Sequence, residues 1–177
     1  VRFNDIVDEI LKYNPQEDLS MLEKAYVFSA QAHKGQTRLS GEPYLVHPLE
    51  VAYTLTKMNL DISSVVSGLL HDTIEDSYVS KSEIEENFGT EVAELVDGVT
   101  KIGQIPLKTS EDSKVETFRK MLLAMSKDIR VILIKLADRY HNMKTLNFLN
   151  SNRQIDIARE TMDIYAPLAH RLGIEWL

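Results

Sequence analysis

Leu69-Leu70-His71-Asp72-Thr73-Ile74-Glu75-Asp76 follows directly on the apolar run Val65-Val66-Ser67-Gly68. A run of that kind reads as a buried helix turn, so the polar octet is expected to emerge from the core and not from an open face. On a continuous helix His71 and Glu75 would share one face and Asp72 and Asp76 the adjacent one, each pair being spaced i, i+4. Burying an imidazole and several carboxylates together is costly unless something neutralises them, and a divalent cation is an economical partner. The octet therefore reads as half of a metal site.

Outward from it, nearly every segment keeps helical spacing and none alternates long enough for a convincing strand, which predicts an all-α bundle. Phe3, Ile6, Val7, Ile10 and Leu11 mark a first helix that Asn14-Pro15 stops. A second starts near Asp18, a good N-cap, and ends at His33. The stretch 34–43 holds Gly35, Gly41 and Pro43 among polar residues and reads as a loop with room for one short β-hairpin. Pro48 disfavours helix at His47 and suits the first position of a helix over 49–58. Asp61 caps the helix that carries the octet. Ser80 and Glu83 form a capping box for a short helix ended by Gly89, and another helix runs over 91–102. The stretch 103–113 is the most loop-like of the interior and is expected to be mobile. Helix follows over 116–125. The strongly apolar 129–137, capped by Asp128 or Ser126 and extended through Met143, must be central. A last helix spans 155–168, bent or ended by Pro167.

A second polar cluster, Asp138-Arg139-Tyr140-His141-Asn142-Met143-Lys144-Thr145, closes the most apolar helix as the octet closes its own. Asp138, His141, Asn142 and Thr145 fall on one stripe. A solvated helix end would also carry such residues, but two apolar helices ending in His and Asp clusters require two accidents to coincide. Together with His47, the residues His71, Asp72 and Asp138 complete a site of two imidazoles and two carboxylates. That donor set suits Mn²⁺, Fe²⁺ or Zn²⁺ alike. His33 and His170 read as structural histidines, His170 packing the last helix on the core. Arg139 reads as a carboxylate partner that ties helices together.

The chain of 177 residues suffices for one compact domain, and at 44% hydrophobic and 27% charged its composition is that of a soluble globular protein. It has no cysteine, which excludes disulfides and thiolate ligation and suits a reducing cytoplasm. No apolar stretch has the length of a membrane span, and the first residues form no signal-peptide core. A net charge of −7 argues against bulk nucleic-acid binding while leaving room for a small anion held by a local basic cluster. The chain begins at Val1 and stops at Ile174-Glu175-Trp176-Leu177, where an apolar helix starts. Residues 1–177 are therefore expected to be a single domain excised from a longer protein.

Several motifs occur in a fixed order: Gln31-Ala32-His33-Lys34-Gly35-Gln36-Thr37-Arg38, Ser40-Gly41-Glu42-Pro43-Tyr44, His47-Pro48, the octet, Val99-Thr100-Lys101, Leu136-Ala137-Asp138-Arg139-Tyr140-His141-Asn142-Met143, and Tyr165-Ala166-Pro167-Leu168-Ala169-His170-Arg171-Leu172-Gly173. Together they closely resemble the N-terminal hydrolase domain of the RelA/SpoT (Rel) family, a branch of the HD superfamily of metal-dependent phosphohydrolases. The resemblance covers essentially the whole chain. It implies an HD-domain helical bundle with a central metal site, metal ligands His47, His71, Asp72 and Asp138, and Glu75 and Asp76 serving the attacking water. It also implies Mn²⁺ as cofactor and guanosine tetra- or pentaphosphate as substrate, cleaved to GDP or GTP and pyrophosphate. A synthetase domain and regulatory domains would follow in the full-length protein. The loop with Arg38, Ser40 and Tyr44, and the stripe with Asn142 and Thr145, look like nucleotide-binding walls. Arg38, Lys101, Arg139 and Lys144 are candidates to neutralise the leaving pyrophosphate. Leu39 departs from the family, which often has a basic residue there, and leaves open a phosphohydrolase for another nucleotide. A non-catalytic alarmone-sensing module is the third reading, against which the intact Glu75-Asp76 pair speaks.

Overall fold

The computed structural model describes residues 1–103 and 111–174, with backbone alone for 111–117. The described residues are helical almost throughout. In order come α1 (Phe3–Tyr13), α2 (Ser20–Ala32), α3 (Val46–Lys57), α4 (Ile62–Leu70), α5 (Thr73–Asp76) and α6 (Lys81–Gly103). They are followed by α7 (Glu111–Lys127), α8 (Arg130–Lys144), α9 (Ser151–Glu160) and α10 (Ala166–Arg171), with a 3₁₀ turn at Leu146–Phe148 and a π turn at Thr161–Tyr165 before Pro167. The hairpin expected at 34–43 is reduced to one antiparallel bridge between Thr37 and Pro43. The expected mobile loop falls largely on 104–110, outside the described residues, while 111–113 belong to α7.

The core forms where α3, α4, α6 and α8 meet, with α1 laid on α3 and α2 on α4. Every residue of α4 from Ser63 to Leu70 is buried. Its serines tolerate this because each finds an acceptor: Ser67 donates to the Ser63 carbonyl at 2.7 Å, Ser63 to Glu91 at 2.8 Å and Ser64 to Asp61 at 2.6 Å. Gly68 permits the close approach of α3, since a Cβ there would stand 2.6 Å from Leu55 Cδ1 and 3.4 Å from the Ala52 Cα. The tight link between α3 and α4 passes through Asn59, at φ 53°, a left-handed conformation asparagine tolerates. Two antiparallel neighbours so joined bring the start of α3 and the end of α4 to one end of the bundle. That places His47 against His71.

Three expectations change, two about helix ends and one about packing. Helix α3 begins at Val46 and includes His47; Pro48 sits in the first turn, where its missing N–H removes no helical bond. The octet is not a continuous helix. Helix α4 stops at Leu70 because the Thr73 hydroxyl takes the Leu70 carbonyl at 2.6 Å and His71 Nδ1 takes the Gly68 carbonyl at 2.8 Å. Helix α5 then restarts, with the Asp76 amide on the Asp72 carbonyl at 2.9 Å. His170 is exposed, and its neighbours Leu168 and Ala169 do the packing expected of it. One half of the expected capping box is present, Ser80 Oγ accepting from the Glu83 amide at 3.2 Å. Gly89, at φ 85°, breaks α6 where a stop was expected.

Candidate metal centre and adjoining cleft

Three separate pieces of chain converge at one end of the bundle: the first turn of α3, the α4–α5 junction and the second half of α8. His47, His71 and Asp138 are all buried and offer atoms lying within 4.8 Å of one another. The Nε2 atoms of His47 and His71 are 3.2 Å apart, and Asp138 Oδ1 lies 3.2 Å from the first and 3.9 Å from the second. Asp72 adjoins both rings, Oδ1 at 3.0 Å from His71 Nε2 and Oδ2 at 3.4 Å from His47 Nε2. Bonds of about 2.0–2.2 Å to one ion put neighbouring ligand atoms roughly 3.0–3.6 Å apart. All but one of these separations lie within that range, so His47, His71 and Asp138 fit a divalent cation. Asp72 meets the two rings with different oxygens and stands outside the group whose donor atoms all lie within 4.8 Å of one another.

The second layer supports the same donors. His71 Nδ1 donates to the Gly68 carbonyl, which leaves the Nε2 lone pair facing the cluster. His47 Nδ1 meets His141 Nδ1 at 2.7 Å. Burial, with the charges of His47, Arg38 and Lys144, depresses His141 to a pKa of about 3 and keeps it neutral. With His47 Nε2 turned to an ion, His47 Nδ1 carries the proton and His141 Nδ1 accepts it. Asp138 Oδ1 accepts from Asn142 Nδ2 and Oδ2 from Lys135 Nζ, both at 2.6 Å. Burial alone would raise the Asp138 carboxyl; Lys135, then His47 and His71, hold it well below the usual carboxylate range. Asp72 is likewise held down, by the two histidines against its burial. Burial works against a charged His71, yet Asp72, Asp138 and the Gly68 carbonyl together raise it to about 9.

Glu75 and Asp76 reach solvent on α5. A Cβ at Gly103 would stand 2.8 Å from Glu75 Oε1, so Glu75 lies against the end of α6 where only glycine leaves room. Partial burial raises its pKa, Lys135 opposes this, and Asp72, Asp76 and Asp138 add to it. Asp76 accepts from the Tyr44 hydroxyl, which also lies 3.1 Å from Asp72 Oδ2.

Beside the cluster opens a cleft of about 380 Å³ whose lining includes Arg38, Ser40, Tyr44, Asn142 and Thr145, five residues expected to be nucleotide walls. Arg38 donates to Asn142 Oδ1 at 3.2 Å, so one wall is bonded through Asn142 to Asp138. Leu39, 78% exposed, and Phe148 and Arg153 complete the mouth. Lys101 is not brought to this cleft: it pairs with Asp97 at 2.7 Å and lines a separate cavity between α6, α7 and α8. Lys144 is exposed near Glu50, at 3.7 Å. Arg139 pairs with Glu160 at 2.8 Å and lies over the Tyr165 ring, tying α8 to the last helices as expected. Sequence reasoning passed over Lys135, His141 as a partner of His47, and the Phe148 to Ile157 side of the cleft. Lys135 had a signal, as the one cation within the apolar 131–137.

The HD domain family model matches residues 25–175. A GTP pyrophosphokinase of Myxococcus xanthus is 57% identical over 171 residues, 95% of this chain and 23% of that protein. The guanosine-3′,5′-bis(diphosphate) 3′-pyrophosphohydrolase of Vibrio cholerae serotype O1 is 50% identical over 97% of this chain and 24% of its own length. The bifunctional (p)ppGpp synthase/hydrolase SpoT of Escherichia coli K12 is 49% identical with the same coverage, 97% and 24%. The chain thus spans about a quarter of the length of these relatives. A solved structure described as a metazoan ortholog of SpoT that hydrolyses ppGpp superposes with a TM-score of 0.63 at 23% identity, over 84% of this chain and 87% of that one, and so shares the fold. With the family model covering most of its length and these relatives aligned along nearly all of it, the chain belongs to the HD domain family, in its RelA/SpoT branch.

Proposed function

We propose that this domain hydrolyses the 3′-pyrophosphate of guanosine tetra- or pentaphosphate, giving GDP or GTP and pyrophosphate, with Mn²⁺ as its metal. The observation that carries the reading is a pair of acids, Glu75 and Asp76, standing free of the His47, His71, Asp72 and Asp138 cluster but beside it. A purely structural metal site has no use for spare carboxylates. The names of the Vibrio and Escherichia relatives supply the substrate class.

In this reading His47, His71, Asp72 and Asp138 hold the ion. A divalent ion there supplies Lewis acidity, making water a better nucleophile near neutral pH and polarising a phosphoryl oxygen. Glu75 takes the proton of the attacking water or aims it, a role worth about 10²–10⁴-fold; partial burial raises its pKa, the direction that strengthens a carboxylate base. Asp76 assists. Arg38, Ser40, Asn142 and Thr145 bind the nucleotide along the cleft, which Tyr44 also lines. Arg38 and the buried ammonium of Lys135 are the cations nearest the developing charge, in place of Lys101. The domain works in the cytoplasm, within a longer protein that also carries a synthetase domain and regulatory domains, and makes no direct contact with nucleic acid. No helix among the described residues is long and apolar enough to cross a membrane.

The test is pyrophosphate release from guanosine tetraphosphate by the domain with Mn²⁺, abolished by chelator and restored by metal. Folded, metal-replete protein that binds the nucleotide and releases nothing would leave the sensing-module reading. Leu39 at the mouth favours a second reading, another nucleotide as preferred substrate, and a panel in which one gives a higher kcat/KM would select it.

A further inference from the structure

Tyr44 lines the cleft, yet its hydroxyl does not face an open wall. It points at two acids, meeting Asp76 Oδ2 in a short hydrogen bond and Asp72 Oδ2 at 3.1 Å. A phenol carries one proton, and the closer acceptor, Asp76, takes it. Two side chains pack on the ring. His33, buried in the loop behind it, stacks on Tyr44 with centroids 4.5 Å apart and planes 20° from parallel. The Arg38 guanidinium lies over the Tyr44 ring at 5.9 Å.

Gln36 closes the arrangement. Its Oε1 meets His33 Nδ1 at 2.9 Å, and its Nε2 donates to the backbone carbonyl of Asp76 at 2.8 Å. The side chain and the backbone of Asp76 are thus both held by the 33–44 loop, although Asp76 itself is exposed at the end of a single helical turn. His33 Nε2 has no hydrogen-bond partner among the described residues. Its ring makes the stack on Tyr44 and the bond to Gln36, and both serve this arrangement.

Resting on the hydrolytic reading above, we propose that Tyr44, braced by His33 and Gln36, is a positioning residue that fixes the direction of Asp76 at the attacking water. A wall contact to the nucleotide would show in KM. A positioning residue shows in kcat, because what it holds matters chiefly in the transition state. Removing a supporting hydrogen bond of this kind costs about 10–100-fold.

Tyr44→Phe keeps the ring and removes the hydroxyl. In the Mn²⁺-loaded domain acting on guanosine tetraphosphate, kcat is expected to fall about 10–100-fold while KM and Mn²⁺ affinity by calorimetry hold. His33→Ala lowers kcat and His33→Phe, which restores the stack, recovers most of it. Gln36→Ala, at a half-buried position, gives a smaller fall. A raised KM with unchanged kcat, a loss of Mn²⁺ binding, or no effect would overturn the proposal. A readout independent of turnover is the double-mutant cycle of Tyr44→Phe with Asp76→Asn in urea unfolding of the metal-free protein, where the proposal requires non-additive effects and additive ones refute it. If wild-type protein with metal releases no pyrophosphate, the hydrolytic reading fails by itself, and this cycle still decides whether Tyr44 holds Asp76.

Discussion

Replacing Lys135 with methionine removes the ammonium that sits 2.6 Å from Asp138 Oδ2, in a pair whose side chains are 13% and 6% exposed. At that separation and an effective dielectric near 20, the attraction is about 6 kcal/mol, partly offset by the desolvation of both charges. Methionine keeps most of the volume, so the main loss is the ammonium partner of a buried carboxylate, and breaking such a pair costs about 3–5 kcal/mol. The surrounding charges add to it, because Asp72 also faces Lys135 and Lys135 is the cation that opposes the raised pKa of Glu75. For a domain of this size each kcal/mol moves Tm by about 2–4 °C, so the metal-free variant should melt roughly 6–20 °C lower. A divalent cation replaces the missing charge where the carboxylates need it. Calorimetry with and without Mn²⁺ should therefore show a larger metal-induced rise in Tm for Lys135→Met than for wild type. A metal-free variant melting within about 2 °C of wild type would refute the reasoning, and so would a larger metal effect in the wild type.

Glu75→Gln should abolish nearly all turnover, by about 10²–10⁴-fold, while metal content and Tm hardly change; loss of metal in that variant would make Glu75 a ligand and its assigned role wrong. His71 must be neutral to ligate, and its pKa without metal is raised from 6.5 to about 9. Metal affinity, measured by titration calorimetry, should accordingly climb with pH up to about 9 and then level off. In the metal-free protein the sign is opposite. The stability contributed by charged His71 is complete below pH 6.5 and is lost as pH rises through 9, which urea unfolding at several pH values would reveal. Stability that is flat over that window would contradict the raised value.

Much of the arrangement was legible in the residues themselves. Two apolar helices ending in His and Asp clusters announced that polar groups meet inside the bundle, and α4 and α8 do meet there through His71 and Asp138. The all-helical class followed from the spacing of apolar residues, and Gly89 and Ser80 marked their helix boundaries through local chemistry alone. What stayed hidden depended on partners distant in sequence or on competition between side chain and backbone. The break after Leu70 turns on the Thr73 hydroxyl taking a carbonyl, in a stretch where His71 and Asp72 both keep right-handed helical angles. Lys135 reads as a tolerated interruption of an apolar run until Asp138 is seen one turn on. Tyr44 reads as loop until Asp76, far along the chain, is beside it. Lys101 was drawn toward the site by its motif, but it pairs with Asp97, one turn back on the same helix, and lies on another face.

The claim beneath all of this is that the first turn of α3, the α4–α5 junction and α8 hold one ion between them. Diffraction from crystals soaked in Mn²⁺, recorded at the manganese edge, measures it directly. The account predicts a single anomalous peak within bonding distance of His47 Nε2, His71 Nε2, Asp72 and Asp138 Oδ1, with Glu75 beside it and unbonded. A peak elsewhere, or ordered side chains at this site with no peak under saturating metal, would contradict it.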